Sequence, residues 1–496
     1  MSGPLAIGID VGTQGTRVVC ITSSGEVKAR HGEEWRLRRG PGGTHEQEPA
    51  LWWAATVRSL EGLLRELTAS ERAGVGAMSV TSTSGTTLLL DGSGVPLRPA
   101  IMWDDKRAVA ESEAANETLR KVCERNGYRF RPTFSLPKAL WVRHHEPEVW
   151  ERLAVLSHAA DWLNAQLIGQ ARPFTELTNA LKSGYDLIED RWPPELAALG
   201  VGPTVLPELA ISGQIIGQLR GDLAERLGLS PEVAVAIGMT DANTALVSSG
   251  AVTPGAWTTG ISTGLSVKGV SATHIFDAHG ALYCHRHPEM GWLPSCTMHT
   301  GGDALTERFG NDHLEDLDAK AAAHGPATVL SFPLQTRGEY FPIYAPGAEG
   351  FTVGAPEDET DAYRSYLEGV ALIERLAFEA CAELGAAVEG EVVTTGGGSR
   401  SRTWSQIRAD ALGRPVCRPL NEGTAVGAAI VALAACTDGL QATTRRVVRQ
   451  TDMVEPHPGM AGYYLARRAE LLSAFAARGY ALATEPPPVV ASKAAS

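Results

Sequence analysis

The sequence predicts an α/β protein whose core is duplicated within one chain. Three observations carry this prediction: short β-branched strands alternate with helix-length segments, glycine-rich polar turns follow the strands, and a strand–turn–strand unit occurs in each half. The unit first occurs at residues 5–22 and returns at residues 255–270. Recurrence of one unit within a chain is typical of a duplicated core.

The opening hairpin is the feature around which the other predicted elements are arranged. An apolar strand at residues 5–9 ends at Asp10, and a second strand at 17–22 follows a turn made of Gly12, Thr13, Gln14, Gly15 and Thr16. Amides and hydroxyls in such a turn can face phosphate oxygens, and Asp10 would be the carboxylate for a magnesium ion bridging nucleotide phosphates. An ordinary hairpin with an Asx-turn explains the same residues.

Helices and strands alternate along the rest of the chain. A third strand–turn–strand unit is predicted at 75–90, and residues 115–210 are predicted to be an elaboration laid over a sheet. The helix at 424–435 consists of small residues and is expected to lie close against another backbone. The predicted domains are residues 1–252 and 253–484, followed by a disordered tail at 485–496. The remaining predicted elements are helices at 50–67, 136–145, 159–167, 242–249, 362–384, 402–412 and 459–480, and strands at 233–237 and 391–395.

Composition excludes several classes of protein. The 496 residues are 44% hydrophobic and 20% charged, and they include 53 glycines, as expected of a globular protein rich in turns. A net charge of −13 without any Lys/Arg block argues against nucleic-acid binding. Seven scattered cysteines without a C-x-x-C motif predict neither disulfides nor a zinc ribbon. Because no signal-like start and no long apolar run occur, we expect a cytoplasmic protein without a membrane partner.

Six motifs occur in a fixed order along the chain: DVGTQGT at 10–16, W-x-D-x-R at 103–107, GMTDANTA at 238–245, GISTG at 260–264, GGGSRSRTWSQIRADALGRPV at 396–416 and EGTAVGAAIVA at 422–432. In this order they resemble the FGGY family of carbohydrate kinases. Three further segments, LPKALWV, HAADWL and TNALKSGYD, are more similar to the D-ribulose/D-xylulose kinase (pentulose kinase) branch than to the glycerol kinases. The resemblance covers residues 5 to about 475.

The resemblance implies a two-domain actin-like ATPase (ribonuclease H-like) fold with a mixed sheet in each domain and an interdomain cleft where ATP and sugar meet. It implies an enzyme that uses ATP and Mg²⁺ to phosphorylate a terminal hydroxyl of a ketopentose, D-xylulose or D-ribulose. A kinase for another sugar or polyol, such as glycerol, a pentitol or an L-ketose, is an alternative. An actin-like nucleotide-dependent scaffold without a sugar substrate is another. A homodimer is compatible with the sequence.

Asp241 is the candidate general base. Phosphoryl transfer to an alcohol needs a carboxylate that takes the hydroxyl proton. Asp241 follows a predicted strand at a glycine-bounded turn and matches the family's catalytic aspartate. An N-cap of the following helix explains the residue as well, and the two roles are compatible.

The other candidates divide between sugar, nucleotide and metal. For the sugar, the resemblance and the need for polar groups that pair with hydroxyls point to Thr83, Ser84, Gly85, Trp103 and Asp105; each has a structural alternative, and a Trp at a strand end is usually core. Asp10 is the candidate magnesium ligand. The nucleotide candidates are Gly12, Thr13, Gln14 and Thr16, then Gly260, Ser262 and Thr263 in the second turn, then Gly396, Gly397 and Gly398 for adenosine, with Asn421.

The second turn departs from the commoner family pattern. Ile261 stands where a threonine is usual, so Ser262 or Thr263 is expected to supply the hydroxyl. The same turn fits the G-x-S-x-G nucleophile elbow of hydrolases, but that elbow needs a helix where residues 265–270 alternate like a strand. The absence of any Gly-Lys dipeptide excludes a Walker A loop.

Overall fold

The chain folds into two compact units. The computed structural model describes residues 3–484, so the predicted tail lies outside the described residues. The first unit contains the chain up to Val252 together with His285–Met290 and Leu420–Arg449, and the second contains Thr253–Cys284, Gly291–Pro419 and the chain from Gln450. The predicted domains treat the second half as one stretch, whereas residues 420–449 belong to the first unit.

Between residues 3 and 252 the structure has twelve strands and ten α-helices. The strands are β1 Leu5–Val11, β2 Gly15–Ile21, β3 Val27–Glu34, β4 Glu46–Gln47, β5 Val75–Ser82, β6 Thr87–Leu90, β7 Ala100–Ile101, β8 Val155–His158, β9 Phe174–Thr175, β10 Glu208–Leu209, β11 Ile215–Gln218 and β12 Ala234–Thr240. The helices are α1 Pro49–Glu66, α2 Ala69–Ala73, α3 Val109–Thr118, α4 Arg120–Asn126, α5 Ser135–His145, α6 Pro147–Trp150, α7 Ala159–Ile168, α8 Leu177–Ala180, α9 Gly221–Leu227 and α10 Asp241–Ser249.

Eleven strands and seven helices follow in the described chain. The strands are β13 Trp257–Ile261, β14 Leu265–Gly269, β15 Tyr283–His287, β16 Gly291–Met298, β17 Leu330–Phe332, β18 Ile343–Tyr344, β19 Phe351–Val353, β20 Val392–Thr395, β21 Val416–Pro419, β22 Gln450–Val454 and β23 Ala481–Leu482. The helices are α11 Asp303–Phe309, α12 Leu314–Ala323, α13 Glu359–Glu383, α14 Arg402–Leu412, α15 Thr424–Ala435, α16 Leu440–Val447 and α17 Ala461–Ala476.

Two sheets of matching topology confirm the predicted duplication. The first unit has the strand order β3-β2-β1-β5-β12-β11, and the second has β16-β14-β13-β20-β21-β22 with β15 added beside β16. In both sheets the central strand is antiparallel to the strand after it in the chain and parallel to its other neighbour. The next pair is again parallel, and the last pair is antiparallel. The predicted α/β class with a mixed sheet in each half is therefore correct.

The parallel strands of the first sheet bring three strand ends together. Asp10 on β1 lies opposite Thr81 on β5, and Thr240 on β12 lies opposite Ser82. Because β1, β5 and β12 are parallel neighbours, the residues that follow them meet at one edge of the sheet. Ligands of open α/β sheets bind beyond this edge.

Helix α15 packs directly on the first sheet because two glycines remove side chains from the contact. A Cβ on Gly8 in β1 would lie 1.9 Å from the Ala425 carbonyl oxygen. A Cβ on Gly427 would lie 1.9 Å from the carbonyl oxygen of Thr244 in α10. The expectation that this small-residue helix lies against another backbone is confirmed.

Both strands predicted at residues 75–90 form, but they do not pair with each other. Strand β5 lies between β1 and β12, whereas β6 belongs to a separate four-stranded sheet with the order β4-β7-β6-β8. Strand β8 lies within residues 115–210, so this region completes a sheet as well as covering one. A glycine-rich turn indicates where a strand ends, but it does not determine which strand becomes the partner.

Two expectations about composition can be compared with the structure. All seven cysteines are free, as predicted from their spacing. Among the described helices, none has the length and apolar character needed to cross a bilayer.

Candidate functional site

Asp10, Asp241 and the segment Thr83–Gly85 lie at the three adjacent strand ends of the first unit. Asp10 is the next-to-last residue of β1, and the segment Thr83–Gly85 follows β5. Asp241 is the first residue of α10, directly after β12. The cap position of α10 is Thr240. Asp241 is therefore not the N-cap, although the N-terminal end of a helix still favours an ionised carboxylate there.

Asp10 is a buried carboxylate with few partners. Its side chain accepts a hydrogen bond from Thr424 Oγ1 at 2.6 Å and lies 3.9 Å from Arg17 Nη1. Burial raises the pKa of Asp10 to about 6, against the lowering effect of the Thr424 hydrogen bond, and the negative charge of Asp241 adds to the rise. Two carboxylates at neighbouring strand ends thus repel each other, as is expected where a cation or a proton belongs.

The ligands available around Asp10 fit a magnesium ion that also binds water and phosphate. They fit less well a metal ion whose ligands all come from the protein. Among the described residues, no group of three or more His, Cys, Asp or Glu side chains is arranged to hold a metal. Mg²⁺ usually keeps several waters and takes one or two carboxylates together with substrate phosphates. A single buried carboxylate such as Asp10 suits that chemistry.

Hydrogen bonds within the first turn and from neighbouring side chains fix its backbone. Gly12 N donates to Gly15 O at 2.9 Å, which closes the turn. The Thr13 carbonyl oxygen accepts hydrogen bonds from Trp35 Nε1 at 3.0 Å and Gln47 Nε2 at 2.8 Å. The backbone that was predicted to face phosphate is therefore fixed in place before any ligand binds.

The side chains of this turn differ in accessibility. Gln14 is exposed and Thr13 is half-buried, whereas Thr16 is buried in β2. The Thr16 hydroxyl has no hydrogen-bond partner among the described residues and does not reach the surface of the turn. This position favours a structural role for Thr16 over the predicted contact with phosphate.

The two sugar candidates of the W-x-D-x-R motif have opposite environments. Trp103 is 43% exposed, and its Nε1 donates to Thr13 Oγ1 at 2.9 Å, so it is not a core tryptophan. Asp105 is fully buried. Its Oδ1 accepts from Arg107 N and Nε, and its Oδ2 accepts from His45 N and Arg107 Nη2, all within 3.0 Å. With four donors already bound, Asp105 favours a structural role over the predicted contact with a sugar hydroxyl.

The segment Thr83–Gly85 has one hydroxyl without a partner. Thr83 Oγ1 lies 2.7 Å from Thr86 Oγ1, so its hydroxyl is engaged. Ser84 Oγ is buried and has no hydrogen-bond partner among the described residues. A buried hydroxyl in this state is costly unless a ligand or a water completes it.

Two lysines at the site were not predicted as site residues. Lys182 Nζ donates to the Ser84 carbonyl oxygen at 3.1 Å, and Lys138 Nζ donates to the Gly85 carbonyl oxygen at 3.0 Å. Burial lowers the pKa of Lys182 to about 8, although the negative charge of Asp241 opposes the shift. Burial also lowers the pKa of Lys138 well below its usual range. The only sequence signal for Lys182 was its place in the TNALKSGYD segment.

The second unit contains a cavity of about 720 Å³ beside the second turn. Four predicted nucleotide residues line it: Ser262, Thr263, Gly397 and Gly398. Gly302 N donates to Ser262 O at 2.8 Å and Asp303 N donates to Thr263 O at 3.0 Å, which fixes the turn. The side chains of Ser262 and Thr263 are exposed, whereas Ile261 is buried. Strand β14 follows the turn directly, so the hydrolase elbow is excluded.

The remaining walls of this cavity combine apolar and polar side chains. Leu314, Tyr363 and Trp404 provide apolar surface, and Asn311, Glu315 and Asp318 provide polar groups. Asp318 Oδ1 accepts a hydrogen bond from Ser401 Oγ at 2.7 Å, and burial raises the pKa of Asp318. Apolar and polar side chains thus share the walls of this cavity, and pockets that bind small molecules combine both kinds of surface.

The glycine loop needs its first glycine for backbone reasons. Gly396 has a φ of 85°, and a Cβ there would lie 2.5 Å from the Ile261 carbonyl oxygen. Gly260 lies within β13.

Asn421 belongs to the first unit, where its Oδ1 accepts a hydrogen bond from Arg30 Nη2 at 3.2 Å, whereas the three glycines belong to the second.

A buried ion pair supports the second turn and the glycine loop. Arg408 in α14 donates to Glu374 in α13 through Nε at 2.6 Å and Nη2 at 2.7 Å. Arg408 also donates to Thr394 in β20, and Thr259 in β13 donates to Glu374. Strands β13 and β20 lead into the second turn and the glycine loop, so this network fixes the start of each.

Comparisons with known proteins bear on both units. Models of the FGGY family of carbohydrate kinases match the chain, the N-terminal domain over residues 5–248 and the C-terminal domain over residues 256–436. The xylulose kinase of Klebsiella pneumoniae is 30% identical over 429 residues, which cover 82% of this chain and 84% of that protein. The xylulose kinase of Escherichia coli strain K12 is 29% identical over 430 residues, which cover 82% and 85%. The crystal structure of xylulose kinase from Rhodospirillum rubrum superposes with a TM-score of 0.85 at 26% identity and covers 96% of this chain and 99% of that one.

Proposed function

Because the chain belongs to the FGGY family of carbohydrate kinases, we propose that it transfers the γ-phosphoryl group of ATP to a terminal hydroxyl of a ketopentose. D-Xylulose and D-ribulose are the proposed substrates, and the relatives named xylulose kinase support this choice. The observation that carries the proposal is the convergence of Asp10, Asp241 and the segment Thr83–Gly85 at neighbouring strand ends. The carboxylates, the unpartnered Ser84 hydroxyl and the exposed Trp103 ring together suit an alcohol-bearing substrate.

Asp241 is proposed as the general base. The sugar hydroxyl oxygen attacks the γ-phosphorus, the bond to the bridging oxygen of ADP breaks, and the hydroxyl proton passes to the Asp241 carboxylate. Lys182 is proposed to keep Asp241 ionised and to donate to a sugar oxygen, since its pKa is sensitive to the charge of Asp241. The Ser84 hydroxyl and the face of Trp103 are proposed to bind the rest of the sugar.

Residues of both turns are proposed to bind ATP. The fixed amides of Thr13 and Gln14 would face the transferring phosphate, while the Gly12 amide closes the turn by its bond to Gly15 O. Ser262 or Thr263 would donate a hydroxyl to phosphate, and the adenosine would occupy the cavity lined by Gly397 and Gly398. Asp10 would hold Mg²⁺, which when bound neutralises charge on the phosphates.

The proposal is tested by an ADP-release assay over a panel of ketopentoses and polyols. We expect ADP formation to rise strongly with D-xylulose or D-ribulose and weakly with glycerol, pentitols and L-ketoses. Consumption of ATP that is the same with every sugar would support a nucleotide-dependent scaffold in place of a sugar kinase.

The base assignment is tested by Asp241→Asn. We expect turnover to fall by at least about 1000-fold, because general-base catalysis and the electrostatics of the site are lost together. The dissociation constant for ADP, measured by calorimetry, is expected to stay within about twofold. Sugar-dependent turnover close to that of the parent would remove Asp241 from the base role.

A further inference from the structure

The residue directly before Asp241 is held by a side chain from a distant part of the first unit. Thr240 N donates to Thr178 Oγ1 at 3.1 Å, and the hydroxyls of the two threonines are also 3.1 Å apart. Asn243 Nδ2 donates to Thr240 Oγ1 at 2.7 Å. The pairing of β12 with β5 shifts its register between Ile237 and Thr240. The sheet is thus irregular where Asp241 follows, and the Thr178 hydroxyl supplies a bond at that point.

Thr178 is anchored in turn by the buried carboxylate of Glu176. Glu176 is 2% exposed, and its Oε2 accepts from Thr178 N at 2.7 Å while its Oε1 accepts from Asn179 N at 2.8 Å. Both carboxylate oxygens also lie 2.8 Å from Thr178 Oγ1. Glu176 therefore caps α8 and at the same time orients the hydroxyl that holds Thr240.

The capping role alone does not account for this arrangement. A cap needs only the two bonds from backbone amides, whereas the Thr178 hydroxyl is directed to the strand that carries Asp241. The far end of the same segment is also fixed, because Ser183 Oγ lies 2.9 Å from His158 Nε2, and His158 Nδ1 lies 2.7 Å from Asp161 Oδ2. Lys182 lies between these two attachments.

We propose that Glu176 and Thr178 are positioning residues for phosphoryl transfer, which hold the Thr240 main chain and so fix the Asp241 carboxylate at the attacking hydroxyl. This inference rests on the proposed role of Asp241 as the general base. The direction of the Asp241 side chain depends on the backbone that enters α10, and Thr178 bonds that backbone directly. Misplacement of a catalytic group by about 1 Å can cost about 100-fold in rate.

The hydrogen bonds that Glu176 accepts favour its ionised form, in which both oxygens can hold Thr178. Burial raises the pKa of Glu176 to about 7, opposed by the hydrogen bonds from Thr178, and the charge of Asp161 adds to the rise. Asp161, whose charge acts on Glu176, lies 2.7 Å from His158 Nδ1. An ionised Glu176 accepts from all its donors, whereas an amide has only one accepting oxygen.

The test compares two substitutions of one residue. Thr178→Val removes the hydroxyl but keeps the shape of the side chain and the backbone bonds to Glu176. We expect kcat to fall at least tenfold while the KM for ATP changes less than twofold. Thr178→Ser restores the hydroxyl and is expected to recover at least half of the parent's kcat. Thr56→Val is the matched control, since the Thr56 hydroxyl is buried in α1 without a partner among the described residues.

The outcomes separate this inference from the proposed function. If Asp241→Asn is inactive and Thr178→Val keeps kcat within twofold of the parent, the positioning role is wrong and the base assignment stands. If Asp241→Asn remains active, the proposed base is wrong. A fall in kcat that Thr178→Ser does not recover, or that Thr56→Val reproduces, would indicate a general loss of packing and overturn the inference. Glu176→Gln addresses the same question if Thr178→Val fails to fold, with the same expected fall in kcat.

Discussion

Asp10 illustrates how a residue suited to catalysis can lower stability. Its pKa is about 6 in the folded protein, compared with an ordinary value of 3.8. Between these two pH values the folded state binds more protons than the unfolded state, so the free energy of unfolding falls as the pH rises. The loss is complete above pH 6 and amounts to about 3 kcal/mol, because each pKa unit corresponds to about 1.4 kcal/mol.

We therefore expect Asp10→Asn to stabilise the protein and abolish its activity. In a chelator-containing buffer at pH 8, the free energy of unfolding should rise by up to about 3 kcal/mol, and at pH 4 it should barely change. Denaturant titrations at the two pH values measure both. Asp312→Asn, at an exposed position, is the control and should change neither value. Destabilisation at pH 8 would contradict the assigned cause of the pKa shift.

The positions of single residues were predictable where they depend on neighbours in the chain. Asp10 lies one residue before the end of β1 and Asp241 directly follows β12, and the apolar run before each residue is visible in the sequence. The environments of Asp105 and Lys182 could not be predicted, because their partners are distant in the sequence. Asp105 is saturated partly by His45, and Lys182 bonds to Ser84, on segments that folding alone brings together.

At the scale of elements, the Arg408–Glu374 pair joins two strands and two helices of the second unit. Both side chains are fully buried. A buried charge left without its partner is strongly destabilising, whereas a well-packed apolar pair of similar volume is often neutral. The pair therefore contributes to stability mainly because each charge is compensated by the other.

Arg408→Met should lower the free energy of unfolding by about 3–5 kcal/mol, because Glu374 is left buried and unpaired. Adding Glu374→Leu to Arg408→Met should recover most of that loss. Denaturant unfolding of the two variants measures the difference. Equal stability of the single and double variants would show that the pair is not what holds these elements together.

Elements were predicted well in type and less well in partnership. Helices α14 and α15 have the predicted bounds, and α1, Pro49–Glu66, is shifted by one residue. Strand β6 was predicted close to its observed position, but its partners are β7 and β8. An apolar run of this length determines that a strand forms, whereas its neighbour is chosen by the packing of the whole unit.

At the scale of the whole molecule, the predicted family and the duplicated α/β architecture are confirmed. The membership of residues 420–449 in the first unit was not predicted. The small residues of α15 indicated close contact with a backbone, but they did not indicate which one. Only the fit of Gly8 against Ala425 identifies it.

A fragment ending at Val252 should therefore fail to fold. It lacks α15, so the Gly8 face of β1 would be left open to water, and the Asp10 partner Thr424 would be missing. Thermal unfolding followed by circular dichroism should show no cooperative transition for residues 1–252. The same fragment joined to residues 420–449 by a flexible linker should show one. Cooperative unfolding of the shorter fragment would contradict this expectation.

The late position of α15 also determines when the first sheet can be completed on the ribosome. Strand β1 emerges first, but the helix that covers it begins at Thr424, so roughly 170 further residues are synthesised after Val252 before it appears. At about 5–20 residues per second, synthesis of those residues keeps that apolar face exposed for about a further 10–30 s. A ribosome that stalls within the second unit would leave the first unit without α15. The uncovered face of β1 would then be the surface to which chaperones bind for longest.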